Sequence, residues 1–211
     1  MPIVLQKRYP NDTHLAVWKI TELHDELQAK LPSEILTDAE LANIHHAQKQ
    51  VEFFCSRLTI SFLAHYLGVK YLGIKKDKCG KPYLVGSDWQ LSLTHTSSYV
   101  AAVMHPTQAV GLDMEKPSEK LRKIANRILS EHEVQDANND LEKLCIYWSA
   151  KESLYKLYGK RKVNFIENLF VTPFQKEASK IIGRLKINEI DEKYSLFVER
   201  IDGFVLVVAG K

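Results

Sequence analysis

Gln108-Ala-Val-Gly-Leu-Asp-Met-Glu-Lys116 and Trp148-Ser-Ala-Lys-Glu-Ser-Leu-Tyr-Lys156, with Gly159 just beyond, are the passages on which the reading of this chain turns. In the first, Val110, Leu112 and Met114 alternate with Gly111, Asp113 and Glu115, the period of two expected of a strand with one apolar face. Both carboxylates then leave the strand on the same side. Two acids so placed repel each other unless a cation, a proton or a basic side chain lies between them. In the second, Leu141, Leu144, Cys145 and Trp148 recur at helical spacing, and Ala150, Leu154, Leu157 and Tyr158 extend the series. This predicts an amphipathic helix over 141–158 that Gly159 can end. Glu152 and Lys156 fall one turn apart on it.

Taken alone, a Glu and a Lys four residues apart are ordinarily a solvated surface pair contributing a few tenths of a kcal/mol. Asp113 and Glu115 could likewise be merely solvated. Their joint occurrence argues for more, because an Asp-x-Glu pair closing a mostly apolar strand suits a hard cation. Magnesium takes oxygen ligands, often one or two carboxylates with waters and substrate phosphates filling the shell. Such a site calls for a phosphate-bearing substrate.

The chain has 211 residues, 45% hydrophobic and 26% charged, which excludes a disordered chain and suits one large domain or two small ones. Cys55, Cys79 and Cys145 are odd in number and far apart. A disulfide framework and a Cys-x-x-Cys zinc knuckle are therefore excluded, and a reducing cytoplasm fits. The N-terminus lacks the basic-then-apolar layout of a signal peptide, and the apolar run Phe204 to Ala209 is too short to cross a bilayer. A soluble, cytoplasmic, monomeric protein with no membrane association is expected. The formal net charge is +3, but residues 49–81 carry Lys49, Arg57, Lys70, Lys75, Lys76, Lys78 and Lys81 against Glu52 and Asp77. That excess is either a solvated basic face or the footprint of an anionic partner: a small phosphate ligand, an acidic protein or nucleic acid.

Residues 3–6 and 15–20 read as strands, and 22–30 as a short helix ended by Pro32. Thr37-Asp-Ala-Glu40 is a capping-box signal for a helix to about Ala47. A stronger helix is expected over 51–67, with Phe54, Leu58, Ser61, Phe62 and His65 along one face and Gly68 closing it. Cys79-Gly-Lys-Pro-Tyr83 is a turn whose Gly80 permits the bend, whose Lys81 presents an ammonium and whose Pro82 leads into the next strand. Leu91 and Leu93 alternate with Ser92 and Thr94, and Thr94-His95-Thr96 offers hydroxyls and an imidazole to phosphate oxygens, although a lone His of this kind is often structural. Residues 99–104, 169–172, 181–187, 194–200 and 204–208 read as further strands, with turns at Pro173 and at Asp202-Gly203, the latter joining a hairpin.

Gly111-Leu-Asp-Met-Glu115 and Trp148-Ser-Ala-Lys-Glu-Ser-Leu-Tyr-Lys156 together resemble the two signature blocks of the 4'-phosphopantetheinyl transferases. The likeness is to the larger, single-chain, surfactin-synthetase-associated type. Lys49-x-x-Glu-Phe-x-x-x-Arg57 resembles that family's basic helix, Gly80-Lys-Pro82 its Gly-Lys-Pro turn, and Ala125-Asn-Arg-Ile-Leu-Ser-Glu-His-Glu133 the segment between the blocks. Thr94-His95-Thr96 departs from the family's usual Ser-His-Ser but keeps the hydroxyls. Residues 1–45 and 171–211 carry no motif.

The resemblance implies transfer of the phosphopantetheine arm from coenzyme A to a serine of an apo acyl or peptidyl carrier protein, leaving adenosine 3',5'-bisphosphate. It implies Mg2+ held by Asp113, Glu115 and Glu152, with Glu152 accepting the serine proton directly or through a water, and Lys156 offsetting phosphate charge. It implies coenzyme A phosphates gripped by Arg57, Lys81 and His95 in the company of Pro82 and Thr94, with Lys49 as the candidate for the ribose 3'-phosphate and the role of Glu133 open. Nucleic acid is not an expected partner. The fold expected is α+β, a pseudo-dimer of two similar halves, 1–106 and 107–211, packed as one compact unit. Each half would be a small antiparallel sheet on a long helix, with the active site in the cleft between them. Two rivals remain: a magnesium-dependent phosphohydrolase or nuclease, which gives no reason for the Gly-Lys-Pro turn, and a non-catalytic coenzyme A or carrier-binding module, which need not keep Asp113, Glu115, Glu152 and Lys156 together.

Overall fold

The computed structural model describes residues 2–29, 31, 35 and 40–211. It is a mixed α+β chain with small antiparallel sheets, and its internal contacts divide it into two units, residues 1–77 with 82–107, and residues 78–81 with 108–211. No helix among the described residues is long and apolar enough to cross a membrane.

In the first unit, strands β1 (Ile3–Arg8) and β2 (His14–Lys19) precede a short helix α1 (His24–Gln28). Helix α2 (Ala47–Tyr66), strands β3 (Ile74–Lys76) and β4 (Pro82–Leu84), and strands β5 (Gln90–His95) and β6 (Tyr99–His105) follow. The main sheet runs β1-β2-β6-β5, every pair antiparallel, and β3 pairs with β4 as a separate ribbon. Strand β2 is buried on both faces from Leu15 to Trp18, as its two-sided apolar pattern leads one to expect. Helix α2 lies on β2, β5 and β6, setting Ile60, Leu63 and Ala64 against Ala16, Leu91, Ala102 and Met104.

Two expectations are corrected in this unit. Thr37, Asp38 and Ala39 of the capping signal lie outside the described residues, and the helix expected to run to Ala47 is absent from its described part. Leu41–Asn43 is a single 3-10 turn, Ile44 is extended, and α2 begins only after His46. The buried side of α2 is also rotated from the expected one. Leu58, Ser61 and Phe62 are half-buried and His65 is exposed, while Cys55, Ser56, Thr59, Ile60, Leu63 and Ala64 face inward. Serine and threonine go inside at little cost because their hydroxyls bond the helix itself, Ser56 to the Phe53 carbonyl at 2.7 Å and Thr59 to that of Cys55 at 2.7 Å.

The second unit opens with strand β7 (Gly111–Glu115), then helices α3 (Glu119–Ile128), α4 (Glu131–Ala137) and α5 (Leu141–Tyr158). Strands β8 (Leu169–Val171), β9 (Lys180–Ile187), β10 (Ile190–Ile201) and β11 (Phe204–Gly210) complete it. The antiparallel sheet is ordered β7-β11-β10-β9-β8. Asp202 and Gly203 both have positive φ, 48° and 78°, in the two-residue turn between Ile201 and Phe204, the twist-compatible hairpin geometry that an Asp-Gly pair favours. Asp140 caps α5 by accepting from the amides of Glu142 and Lys143, and Gly159 ends it in the left-handed region at φ 67°.

Helix α5 packs on β7, β8, β9 and β11, and the approach to β7 is very close. A Cβ at Gly111 would stand 1.8 Å from the Ser153 carbonyl oxygen and 2.7 Å from the Leu157 nitrogen, so only glycine fits there. The face of β7 that carries Gly111, Asp113 and Glu115 is therefore the face turned to α5.

Candidate active site

Because Gly111 lets α5 sit against β7, the side chain two residues further along the strand meets the C-terminal half of the helix. Lys156 Nζ donates to Asp113 Oδ1 at 2.8 Å. The Asp113 side chain is 7% exposed and that of Lys156 29%. The two sequence blocks thus converge through a charge-assisted hydrogen bond that shares a partly desolvated surrounding.

The other two acids belong to the same field. Glu115 has its pKa raised, first by burial and then by the charge of Asp113, against the opposing effects of a Trp148 hydrogen bond and the charges of Lys120 and Lys156. Glu152 is pushed up to about 7 by burial and by the Asp113 charge, with Lys156 opposing and Glu115 adding. Crowded carboxylates with one cation among them hold protons that isolated ones release. A carboxyl poised near neutral pH can exchange a proton with a hydroxyl, and an all-oxygen anionic set is the donor chemistry a hard divalent cation selects. Among the described residues, no group of three or more His, Cys, Asp and Glu side chains is already arranged to hold a metal ion.

Trp148, Glu152 and Tyr155 share one stripe of α5, at i, i+4 and i+7. The Phe165 ring covers the two aromatics there, stacked on Trp148 at 5.8 Å between centroids and tilted against Tyr155 at 5.8 Å. Trp148 also acts to lower the Glu115 pKa against the effect of burial, a role the sequence reading did not anticipate although Trp148 opens the second block.

Lys81 also belongs to the second unit. Its ammonium donates to the Leu157 carbonyl at 2.8 Å and its Cδ lies over Gly159, so a cation sits at the negative end of the α5 dipole. Pro82 begins β4 in the first unit.

The remaining candidates lie in the first unit, where two carboxylates gather the basic groups. Glu40 accepts from Arg57 at 2.8 Å and pairs with Lys76 at 3.1 Å. Glu52, 4% exposed, pairs with Lys49 at 2.7 Å and with His95 at 3.1 Å. Arg57 is buried, its guanidinium 4.0 Å from the Phe53 ring centroid, whereas the Lys49 and His95 side chains are 59% and 47% exposed. Thr94 is buried on β5 beside His95. Lys49 and His95 are thus brought together and Arg57 is joined to Lys76, while the roles of Glu40 and Glu52 were not read from the sequence.

Glu133, whose role was left open, is buried and fully engaged. Its Oε2 accepts from the Ser130 amide at 2.8 Å and its Oε1 from the Val171 amide at 2.9 Å, and Lys151 Nζ lies 2.6 Å from Oε2. Ser130-Glu-His-Glu133 is a capping box for α4, a signal present in the sequence and missed there.

No curated protein matches the chain. Its residues 109–209, which run from just before β7 almost to the end of β11 and so take in the strands where no motif was read, match the model of the 4'-phosphopantetheinyl transferase superfamily.

Proposed function

We propose that the protein transfers the 4'-phosphopantetheine arm of coenzyme A to a serine hydroxyl of an apo acyl or peptidyl carrier protein, releasing adenosine 3',5'-bisphosphate. The observation that carries this reading is the 2.8 Å pair between Lys156 and Asp113, which joins the two motif-bearing elements inside the region matched by the transferase superfamily. A phosphohydrolase would use similar acids, but the superfamily match favours transfer.

Asp113, Glu115 and Glu152 suit magnesium by donor chemistry, being all oxygen and anionic, and the charge of Asp113 acts on both glutamates. When bound, the cation would polarise the pyrophosphate and offset charge on the leaving group. Glu152 takes the proton of the serine hydroxyl, directly or through a water, as the serine oxygen bonds to phosphorus and the pyrophosphate P–O bond breaks. Lys156 supplies positive charge where phosphate charge develops. Arg57, Lys81 and His95, with Thr94 and the chain at Pro82, are the proposed grip on the coenzyme A phosphates, and Lys49 is assigned to the ribose 3'-phosphate. In the first unit a phosphate must compete with Glu40 and Glu52 for these cations. The reading carries with it a cytoplasmic, monomeric enzyme.

The test is incubation with coenzyme A, Mg2+ and a panel of apo carriers, read by mass spectrometry as the arm added to the carrier. Wild-type protein should load at least one of them, and Asp113→Ala should load none while keeping the wild-type circular dichroism spectrum. Undiminished loading by Asp113→Ala would remove the acidic site from the proposal.

A further inference from the structure

A buried ion pair, Lys151 with Glu133, lies outside this chemistry. Lys151 precedes Glu152 on α5, and its side chain is wholly buried. Its ammonium donates to the carbonyls of Ile128 at 2.9 Å and Phe165 at 2.8 Å and lies 2.6 Å from Glu133 Oε2. Three donors thus meet three acceptors. The acceptors come from the end of α3, the loop before β8 and the first turn of α4, and Glu133 binds β8 through the Val171 amide.

Burying such a pair is costly, and an apolar pair of similar volume is often as stable or more so. Stability alone therefore gives no reason for an ion pair here, whereas its connections give one. The carbonyl that Lys151 holds belongs to Phe165, whose ring stacks on Trp148 and packs on Tyr155. Contacts lead from Glu133 through Lys151 and the Phe165 segment to Trp148, which lies one turn before Glu152 on α5, and Lys151 is covalently next to Glu152. Helix α5 also has buried side chains around most of its circumference, so apolar packing by itself defines its rotation weakly. A directional three-acceptor bond fixes it.

We propose that Glu133 and Lys151 are positioning residues for the acidic site, holding α5 and the Phe165 loop so that Glu152 stands in register with Asp113 and Glu115 of β7. The proposal rests on the transfer reading above and deepens it. Misplacement of reacting groups by about 1 Å costs on the order of 10²-fold in rate, so loosening this hub should appear in kcat.

The experiment compares Glu133→Gln, Lys151→Met and the double variant with wild type. Removing one partner strands a buried charge, and a single variant that fails to fold would be silent on the question. The double variant removes both charges together and should recover a melting temperature near that of wild type. In that folded double variant, kcat for carrier loading should fall by about 10- to 100-fold, with KM for coenzyme A unchanged within about threefold. Deuterium uptake across residues 148–156 and 165–168 should rise. Wild-type kcat in a folded double variant, or unchanged uptake there, would overturn the proposal. Absence of loading by wild type itself would defeat the transfer reading instead, and deuterium uptake would then decide the positional claim without any turnover.

Discussion

At the scale of single residues, the proposed acidic site turns on Asp113, whose charge acts on Lys156, Glu115 and Glu152. It holds Lys156 at 2.8 Å and raises the proton affinity of both Glu115 and Glu152. Glu152 is the group whose replacement separates chemistry from binding. Glu152→Gln keeps size and one oxygen but loses charge and basicity, and should lower the loading rate at saturating Mg2+ by about 10²- to 10⁴-fold. Coenzyme A affinity measured without Mg2+ should stay within a few fold. If Glu152 and Lys156 were only a surface pair, the same change would cost a few tenths of a kcal/mol of stability and leave the rate alone, so a wild-type rate sinks the assignment. These residues were legible in the sequence because strand alternation at 110–115 and helical spacing at 141–158 are local patterns. Their mutual approach was not, since it depends on where Gly111 lets the helix lie. The partners of Arg57 and His95 were illegible for the same reason: Glu40 precedes Arg57 by seventeen residues, and Glu52 on α2 reaches His95 on β5.

At the scale of elements, the same contrast recurs. The Asp202-Gly203 hairpin and the Gly159 stop followed from turn chemistry, and both are present. The rotation of α2 did not follow, because spacing alone does not show that Ser56 and Thr59 can go inside by bonding their hydroxyls back to the helix. Helices α3 and α4 went unread although Ser130 and Glu133 form a capping box. The contact of α5 with β7 makes a direct prediction: Gly111→Ala places a methyl 1.8 Å from a main-chain oxygen, a clash with backbone rather than with a movable side-chain tip. It should lower stability by at least about 1–3 kcal/mol in urea unfolding, and unchanged stability would mean that α5 can lift off β7. The docking of α4 on α5 makes another. Burial alone would raise the Asp136 pKa, but bonds from Lys143 and Tyr147, at 2.8 Å and 2.7 Å, outweigh it, so the carboxyl is held below its ordinary value. A depressed folded pKa contributes stability above the unfolded value of about 3.9, and that contribution is lost as pH falls through the folded value. Asp136→Asn should therefore be less stable than wild type at neutral pH, the gap closing in acid below about pH 4. A gap that persisted at low pH would point to shape rather than charge.

At the scale of the whole molecule, charge is the property that the proposed substrate exploits. The chain carries a formal +3, with its basic excess concentrated in residues 49–81, yet three of those cations are already paired with Glu52 or Glu40: Lys49 at 2.7 Å, Arg57 at 2.8 Å and Lys76 at 3.1 Å. The Lys76–Glu40 pair is exposed and held by about 0–1 kcal/mol, less than the roughly 1.5–3 kcal/mol of a hydrogen bond to a charged group, whereas Glu52 is buried, so a phosphate that takes Lys49 and His95 must also offset the cost of leaving that carboxylate unpaired. Arg57 differs. Its guanidinium is buried against Phe53 and Glu40, so Arg57→Ala should cost stability as well as affinity, and Lys49→Ala and His95→Ala, each of which takes one partner from the buried Glu52 and leaves the other, should cost less stability than Arg57→Ala. If Lys49 meets the ribose 3'-phosphate, dephospho-coenzyme A should bind wild type more weakly than coenzyme A by about 1.5–3 kcal/mol, roughly ten- to a hundredfold in Kd. The difference should shrink as added salt screens the exposed charges, and in Lys49→Ala it should nearly vanish. Titration calorimetry of the two ligands at low and high ionic strength reads all three effects. Equal binding of both ligands by wild type would strike the 3'-phosphate contact from the site, and a difference that survives Lys49→Ala would move it to another of the basic side chains, with His95, which shares Glu52 with Lys49, the first to replace.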